Sequence, residues 1–148
     1  MNKAFVKEPE QGDEQCPRCG SIGQSVGRHT MERYVGDAAA TLADRSNFCP
    51  KPTCDVVYFD MFERYILCSA LILPAYPKDP TAPICACFGF TERDADADIA
   101  EGGRDRTRAV VERAKSSESR CEMLAANGRC CVAEVQRYFM KRLQVKPQ

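Results

Sequence analysis

Two short stretches each set a pair of cysteines on what reads as a tight turn: CPRCG at 16–20 and FCPKPTC at 48–54. Two such knuckles can surround one ion tetrahedrally, the closed all-thiolate arrangement of a structural zinc site. Cys16, Cys19, Cys49 and Cys54 are therefore the candidate zinc ligands, and no position is left open for catalysis. Reduced cysteines packed as small hydrophobes are the alternative, but two paired knuckles are more specific than a lone CxxC. His29, the only histidine, sits between them in the polar stretch GRHTMER and reads as a surface residue rather than a ligand.

Downstream, ICACFGFTERD places Cys85 and Cys87 on a CxC turn that runs into a helix start. In RCEMLAANGRCCVAEV, at 120–135, Cys121 reads as a loop residue and Cys131 as the start of another helix. That helix N-terminus can present Cys131 beside Cys121 while the CxC turn approaches from the opposite side, so Cys85, Cys87, Cys121 and Cys131 make a second set of four. An iron-sulfur cluster on four thiolates is a net anion, which unpaired N–H groups at helix N-termini favour. Zinc also accepts four thiolates, so spacing leaves the metal open. Cys130 is then a spare thiol near a helix N-terminus, where a lowered pKa is expected. Cys68, inside the apolar run YILCSALIL, reads as a core residue on a strand.

The elements that must hold these sets can be read on either side of LPAYPKDPTAP, residues 73–83, whose prolines break helix and central strand alike and mark a linker. A boundary near residue 80 gives a module over 1–80 and another over 81–148. In the first, VVYF after the second knuckle predicts a strand, and DAAATLADR predicts two helical turns capped by Asp37. In the second, Thr91 with Asp94 resembles a capping box that opens a helix over 91–101, stopped by Gly102-Gly103. A helix over 104–115 completes a helical hairpin, and a third begins at Cys131, with Val132, Val135, Phe139 and Leu143 as its apolar stripe. The expected fold class is α+β: a small zinc-knuckle α/β module followed by a three-helix 2Fe-2S-binding module.

Charge excludes little and suggests little, since lysine plus arginine equals aspartate plus glutamate at 21 each. The basic helix RDRTRAVVERAK follows the acidic ERDADADIAE, and mutual neutralisation across the hairpin is favoured over nucleic-acid reading. Asp94, Asp96 and Asp98 alternate along their helix, a poor calcium or magnesium site that reads as a solvated face. No Ser/His/Asp constellation, GxGxxG or P-loop occurs, so conventional catalysis lacks a site. The N-terminus lacks the apolar core of a signal peptide and YILCSALIL is too short for a bilayer, which predicts a cytoplasmic protein without membrane insertion. In that reducing compartment cysteines read as metal ligands rather than disulfides.

The late motif, a CxC, a gap of about thirty residues and a close cysteine pair, resembles the bacterioferritin-associated ferredoxin type of 2Fe-2S domain. This chain departs from it by inserting EMLAANGRC between Cys121 and Cys131. The whole order, CPRCG, FCPKPTCDVVYF, CACFGFTERD, then a cysteine followed by NGRCC, resembles the N-terminal region of the CopZ copper chaperones that carry both zinc and a 2Fe-2S cluster. That resemblance, over about residues 16–142, implies Zn2+ on Cys16, Cys19, Cys49 and Cys54 and the cluster on Cys85, Cys87, Cys121 and Cys131. It also implies a copper context, with a copper-trafficking protein or copper-pumping ATPase as partner. The MxCxxC copper loop of those chaperones does not occur in these 148 residues. The resemblance thus implies their redox half: electron transfer in metal handling. A cluster-based sensor or adaptor, and a purely structural zinc protein, are the alternatives.

Overall fold

The computed structural model describes residues 14–118 and 120–145, the backbone alone at 121, 122 and 145. The first half is an antiparallel meander of four strands in the order β1-β2-β3-β4: β1 (Gln24–Gly27), β2 (Arg45–Phe48), β3 (Val56–Phe59) and β4 (Tyr65–Leu67). Gln24 pairs with Phe48 across β1 and β2, and Phe48 with Tyr58 across β2 and β3. A helix, α1 (Arg28–Val35), and a 3-10 turn over Gly36–Thr41 connect β1 to β2.

The expected strand VVYF is β3, and all four of its residues are buried. It is covered on both faces, because Val57 and Tyr58 join α1 residues Met31, Tyr34 and Val35 in one core while Val56 and Phe59 pack against Cys16 and Cys49. A register shift between Val56 and Tyr58 breaks strict alternation, as a bulge does. Gly23 lies against this sheet with no room for a side chain: a Cβ there would meet Asn47 Cβ at 2.5 Å and Phe59 Cζ at 2.6 Å.

Two expectations hold only in part here. DAAATLADR does supply two helical turns, but as a 3-10 helix over Gly36–Thr41 with no side-chain cap from Asp37, and an α-helix that the sequence did not suggest lies just before it, over the polar-looking RHTMERYV. Its N-cap, Gly27, supplies no side-chain bond, so α1 owes its place to burial of Thr30, Met31, Tyr34 and Val35 rather than to local signals. The strand in YILCSALIL also ends at Leu67, and Cys68 opens a short 3-10 turn, half-buried against the core.

The second half is a three-helix bundle of α2 (Glu92–Glu101), α3 (Asp105–Ala114) and α5 (Val132–Val145), with a one-turn helix, α4 (Cys121–Leu124), where a loop was expected. Thr91 and Asp94 form the expected capping box, and Gly102 ends α2 in the left-handed region at φ 79°. Ala95, Ile99, Val110, Ala114, Val135 and Phe139 make the bundle core. The apolar stripe of α5 stops at Phe139, because Leu143 is 40% exposed.

The aspartates of α2 do not form a solvated face. Asp94 is the capping residue, Asp96 accepts from Tyr138 and Arg142, and Asp98 is buried. Asp98 and Glu101 both pair with Arg106, which realises the charge neutralisation expected between the two helices. The Pro-rich connection packs on both halves: Ala75 belongs to the sheet core, while Tyr76 packs on the bundle core and donates to Glu92 at 2.7 Å. Among the described residues no helix is long and apolar enough to cross a membrane.

Candidate metal centre

The first knuckle is a closed turn. Cys16 N–H donates to Ser21 O at 2.8 Å and Gly20 N–H returns to Cys16 O at 2.9 Å. Gly20 takes φ 77°, a conformation that side chains disfavour, which accounts for the glycine of CPRCG. The second knuckle leaves β2 and returns into β3, with Cys49 N–H bonded to Val57 O at 2.9 Å and Cys54 N–H to Lys51 O at 3.2 Å. Lys78, from the Pro-rich connection, closes over it by donating to Lys51 O at 2.6 Å and Cys54 O at 3.1 Å.

These turns bring the sulfurs of Cys16, Cys19, Cys49 and Cys54 within 4.8 Å of one another. Cys19 Sγ is 3.5 Å from Cys49 Sγ, and Cys16 Sγ is 3.9 Å from Cys54 Sγ. A tetrahedral zinc with Zn–S bonds of about 2.3 Å separates its sulfurs by about 3.8 Å, so the donor set fits that ion. Backbone N–H groups support each sulfur from two residues ahead: Arg18 at Cys16, Ser21 at Cys19, Lys51 at Cys49 and Val56 at Cys54. Such donors hold thiolate charge once protons leave.

The thiols differ in acidity accordingly. Burial pushes Cys49 up to about 12 and raises Cys16. Cys19 resists its own desolvation through the Ser21 hydroxyl and amide and the neighbouring thiols, which bring it down to about 6. The result is a tetra-cysteine site consistent with structural Zn2+. His29 is 89% exposed on α1 and stands outside it.

The turn at Cys85 repeats the Cys16 turn bond for bond. Cys85 N–H donates to Phe90 O at 3.1 Å, Gly89 N–H returns to Cys85 O at 2.8 Å, and Gly89 takes φ 73°. The Cys85 sulfur accepts from the N–H groups two and three residues on, Cys87 and Phe88, as Cys16 does from Arg18 and Cys19. The shared pattern, cysteine with glycine four residues later, is visible in CPRCG and CACFG yet escaped the sequence reading.

Of the second expected set, the structure brings Cys85 and Cys131 into hydrogen-bond contact, both buried in the bundle core. That contact with the Cys131 thiol outweighs burial and, with turn N–H groups and the Arg113 charge, lowers the Cys85 thiol to about 6. Cys87 Sγ accepts the Arg120 N–H at 3.2 Å, one residue before Cys121. The side chain of Cys121 lies outside the described residues. Cys130 is exposed, and its neighbour Cys131 is the one turned inward.

Residues 13–71 match the zf_CopZ family, a zinc binding domain. All four knuckle cysteines fall within the matched residues. Among solved structures, the chain is similar to the N-terminal domain of CopZ from Archaeoglobus fulgidus, at 23% identity and a TM-score of 0.69, covering 84% of this chain and 96% of that one. That coverage reaches well past residue 71, so the shared fold takes in the helical half that follows the matched segment. No curated protein matches the chain.

Proposed function

We propose that this chain is a metal-handling protein of CopZ type, built on a structural Zn2+ at Cys16, Cys19, Cys49 and Cys54 and carrying a second metal group on Cys85, Cys87, Cys121 and Cys131. The repetition of the Cys16 turn at Cys85, with Cys131 in hydrogen-bond contact, supports metal ligation in the helical half. Backbone N–H groups aimed at a sulfur favour its thiolate form, which is the form that ligates a metal.

A 2Fe-2S cluster is the group we assign to the second set, and it would supply one-electron exchange. Two contacts support an anionic group there: Arg120 N–H points at Cys87, and Arg113 lies 4.2 Å over the Phe88 ring beside the Cys85 turn. In this reading the protein relays electrons in copper handling, to a copper-trafficking protein or copper-pumping ATPase. A protein with zinc in both sites, acting as a structural adaptor, is the second reading, since four thiolates accept zinc equally.

Anaerobic purification followed by iron, acid-labile sulfide and zinc analysis separates the two. The cluster reading expects two irons, two sulfides and one zinc per chain, with visible absorption that bleaches on dithionite. Colourless protein holding only zinc after attempted cluster reconstitution establishes the adaptor reading instead.

A further inference from the structure

Nine residues, EMLAANGRC, separate Cys121 from Cys131, and ordering them costs conformational entropy that contacts from outside the segment offset. We infer that Tyr34 and Tyr58 of the zinc module are positioning residues for this cysteine loop of the helical module. The inference rests on reading Cys85, Cys87, Cys121 and Cys131 as one metal-binding group.

Both hydroxyls leave their own module to find a partner. Tyr34 donates to Leu124 O at 2.5 Å and Tyr58 donates to Ala126 O at 2.7 Å, across 90 and 68 residues of chain. Tyr58 is fully buried in an otherwise apolar core, where phenylalanine would pack equally and a hydroxyl without a partner would be costly. Its hydroxyl is therefore explained by the carbonyl it meets. Ala126 is itself part of the sheet core, seated with Val26, Phe48 and Val57.

The far end of the loop is tied to α5. Asn127 Oδ1 accepts the Arg129 N–H at 3.1 Å, and its Nδ2 donates to Glu134 at 3.4 Å. Gly128, at φ 67°, turns the chain between the two anchors. The zinc module thus holds positions 124 and 126 while α5 holds 127, and the segment carrying Cys121 and Cys131 is led back to the Cys85 turn. Zinc binding and the second metal group are coupled through two phenol hydroxyls.

The test uses the full zinc-loaded chain with Tyr34→Phe, Tyr58→Phe, both together, and Tyr65→Phe as an exposed control. Hydrogen exchange of residues 120–131 by mass spectrometry should be about tenfold faster in the double variant. After cluster reconstitution, loss of visible absorption to the iron chelator bathophenanthroline should speed up by a similar factor, with zinc content unchanged and the control at the wild-type rate. Wild-type rates in both measurements for the double variant would overturn the inference. A colourless wild type removes the cluster reading alone, because exchange at 120–131 still decides the tether. If the double variant loses zinc, the wild type is compared with and without a zinc chelator. Faster exchange at 120–131, with 92–114 still protected, is then expected, and unchanged exchange at 120–131 overturns the proposal.

Discussion

Asp98, near the end of α2, caps the first turn of α3 from a distance: its carboxylate accepts the Thr107 N–H at 2.7 Å and the Thr107 hydroxyl at 2.8 Å. Arg106 adds a bond at 3.0 Å, so a buried charge is fully engaged and the hairpin angle is set. Asp98→Ala should lower stability by about 2–3 kcal/mol, read as a reduced urea midpoint. An unchanged midpoint would show that the carboxylate is not holding the hairpin.

The same group makes stability depend on acid. Burial alone would raise the pKa values of Asp60 and Asp98. The donors around them prevail: Arg64 and the N–H groups of Ala43, Arg64 and Phe62 at Asp60, and Thr107 and Arg106 at Asp98. Both carboxyls lie below their ordinary range, so their stabilisation is complete above the unfolded value of about 3.9 and fades as pH falls through the folded values. The melting-temperature gap between wild type and Asp98→Asn should therefore hold from pH 6 to 5 and narrow below about pH 4. A gap that stays constant to pH 2 contradicts this.

Gly20 and Gly89 occupy equivalent places in the two turns, at φ 77° and 73°, and a Cβ at either would meet nothing within 4 Å. Alanine there tests backbone strain without a clash, at roughly 1–2 kcal/mol. Gly20→Ala should weaken zinc retention, and Gly89→Ala should weaken retention of the group proposed at the second set. Metal analysis after dialysis against a mild chelator checks both, and a Gly89→Ala variant that keeps its full wild-type metal content would refute the part assigned to the Cys85 turn.

Lys78 fastens the Pro-rich connection to the second knuckle through Lys51 O and Cys54 O. Lys78→Met keeps much of the stem and removes those bonds, so zinc transfer to a chromophoric chelator should quicken by about tenfold. Transfer at the wild-type rate would mean that the knuckle holds its shape unaided.

Cys130 and Cys131 differ by one residue and by burial, with Cys131 in contact with Cys85 and Cys130 exposed. On the cluster reading, Cys131→Ser should abolish binding of the proposed second group, whereas Cys130→Ser should leave its absorption spectrum intact. The reverse pattern would exchange their roles.

Much of this molecule is legible in local spacing because the relevant forces act within a few residues. Thr91 and Asp94 cap each other across three positions, Gly102 stops α2 by its own conformational freedom, and CPRCG closes its turn alone. Helix α1 escaped notice because its N-cap offers no side chain and only contact with β3 makes Met31 and Tyr34 apolar anchors. Asp98 was misread for a similar reason, since the donors that bury it arrive from the next helix.

The sequence by itself determined that thiols come in two groups, that one consists of paired knuckles, and that helices follow a Pro-rich connection, because turn chemistry and periodicity are properties of neighbours in the chain. Only the tertiary structure decided that the four knuckle sulfurs converge within 4.8 Å, that Cys131 rather than Cys130 faces Cys85, and that Tyr34 and Tyr58 reach the loop between Cys121 and Cys131. Those relations join residues roughly thirty to ninety positions apart, and they exist only once the burial of two cores has fixed the distances between them.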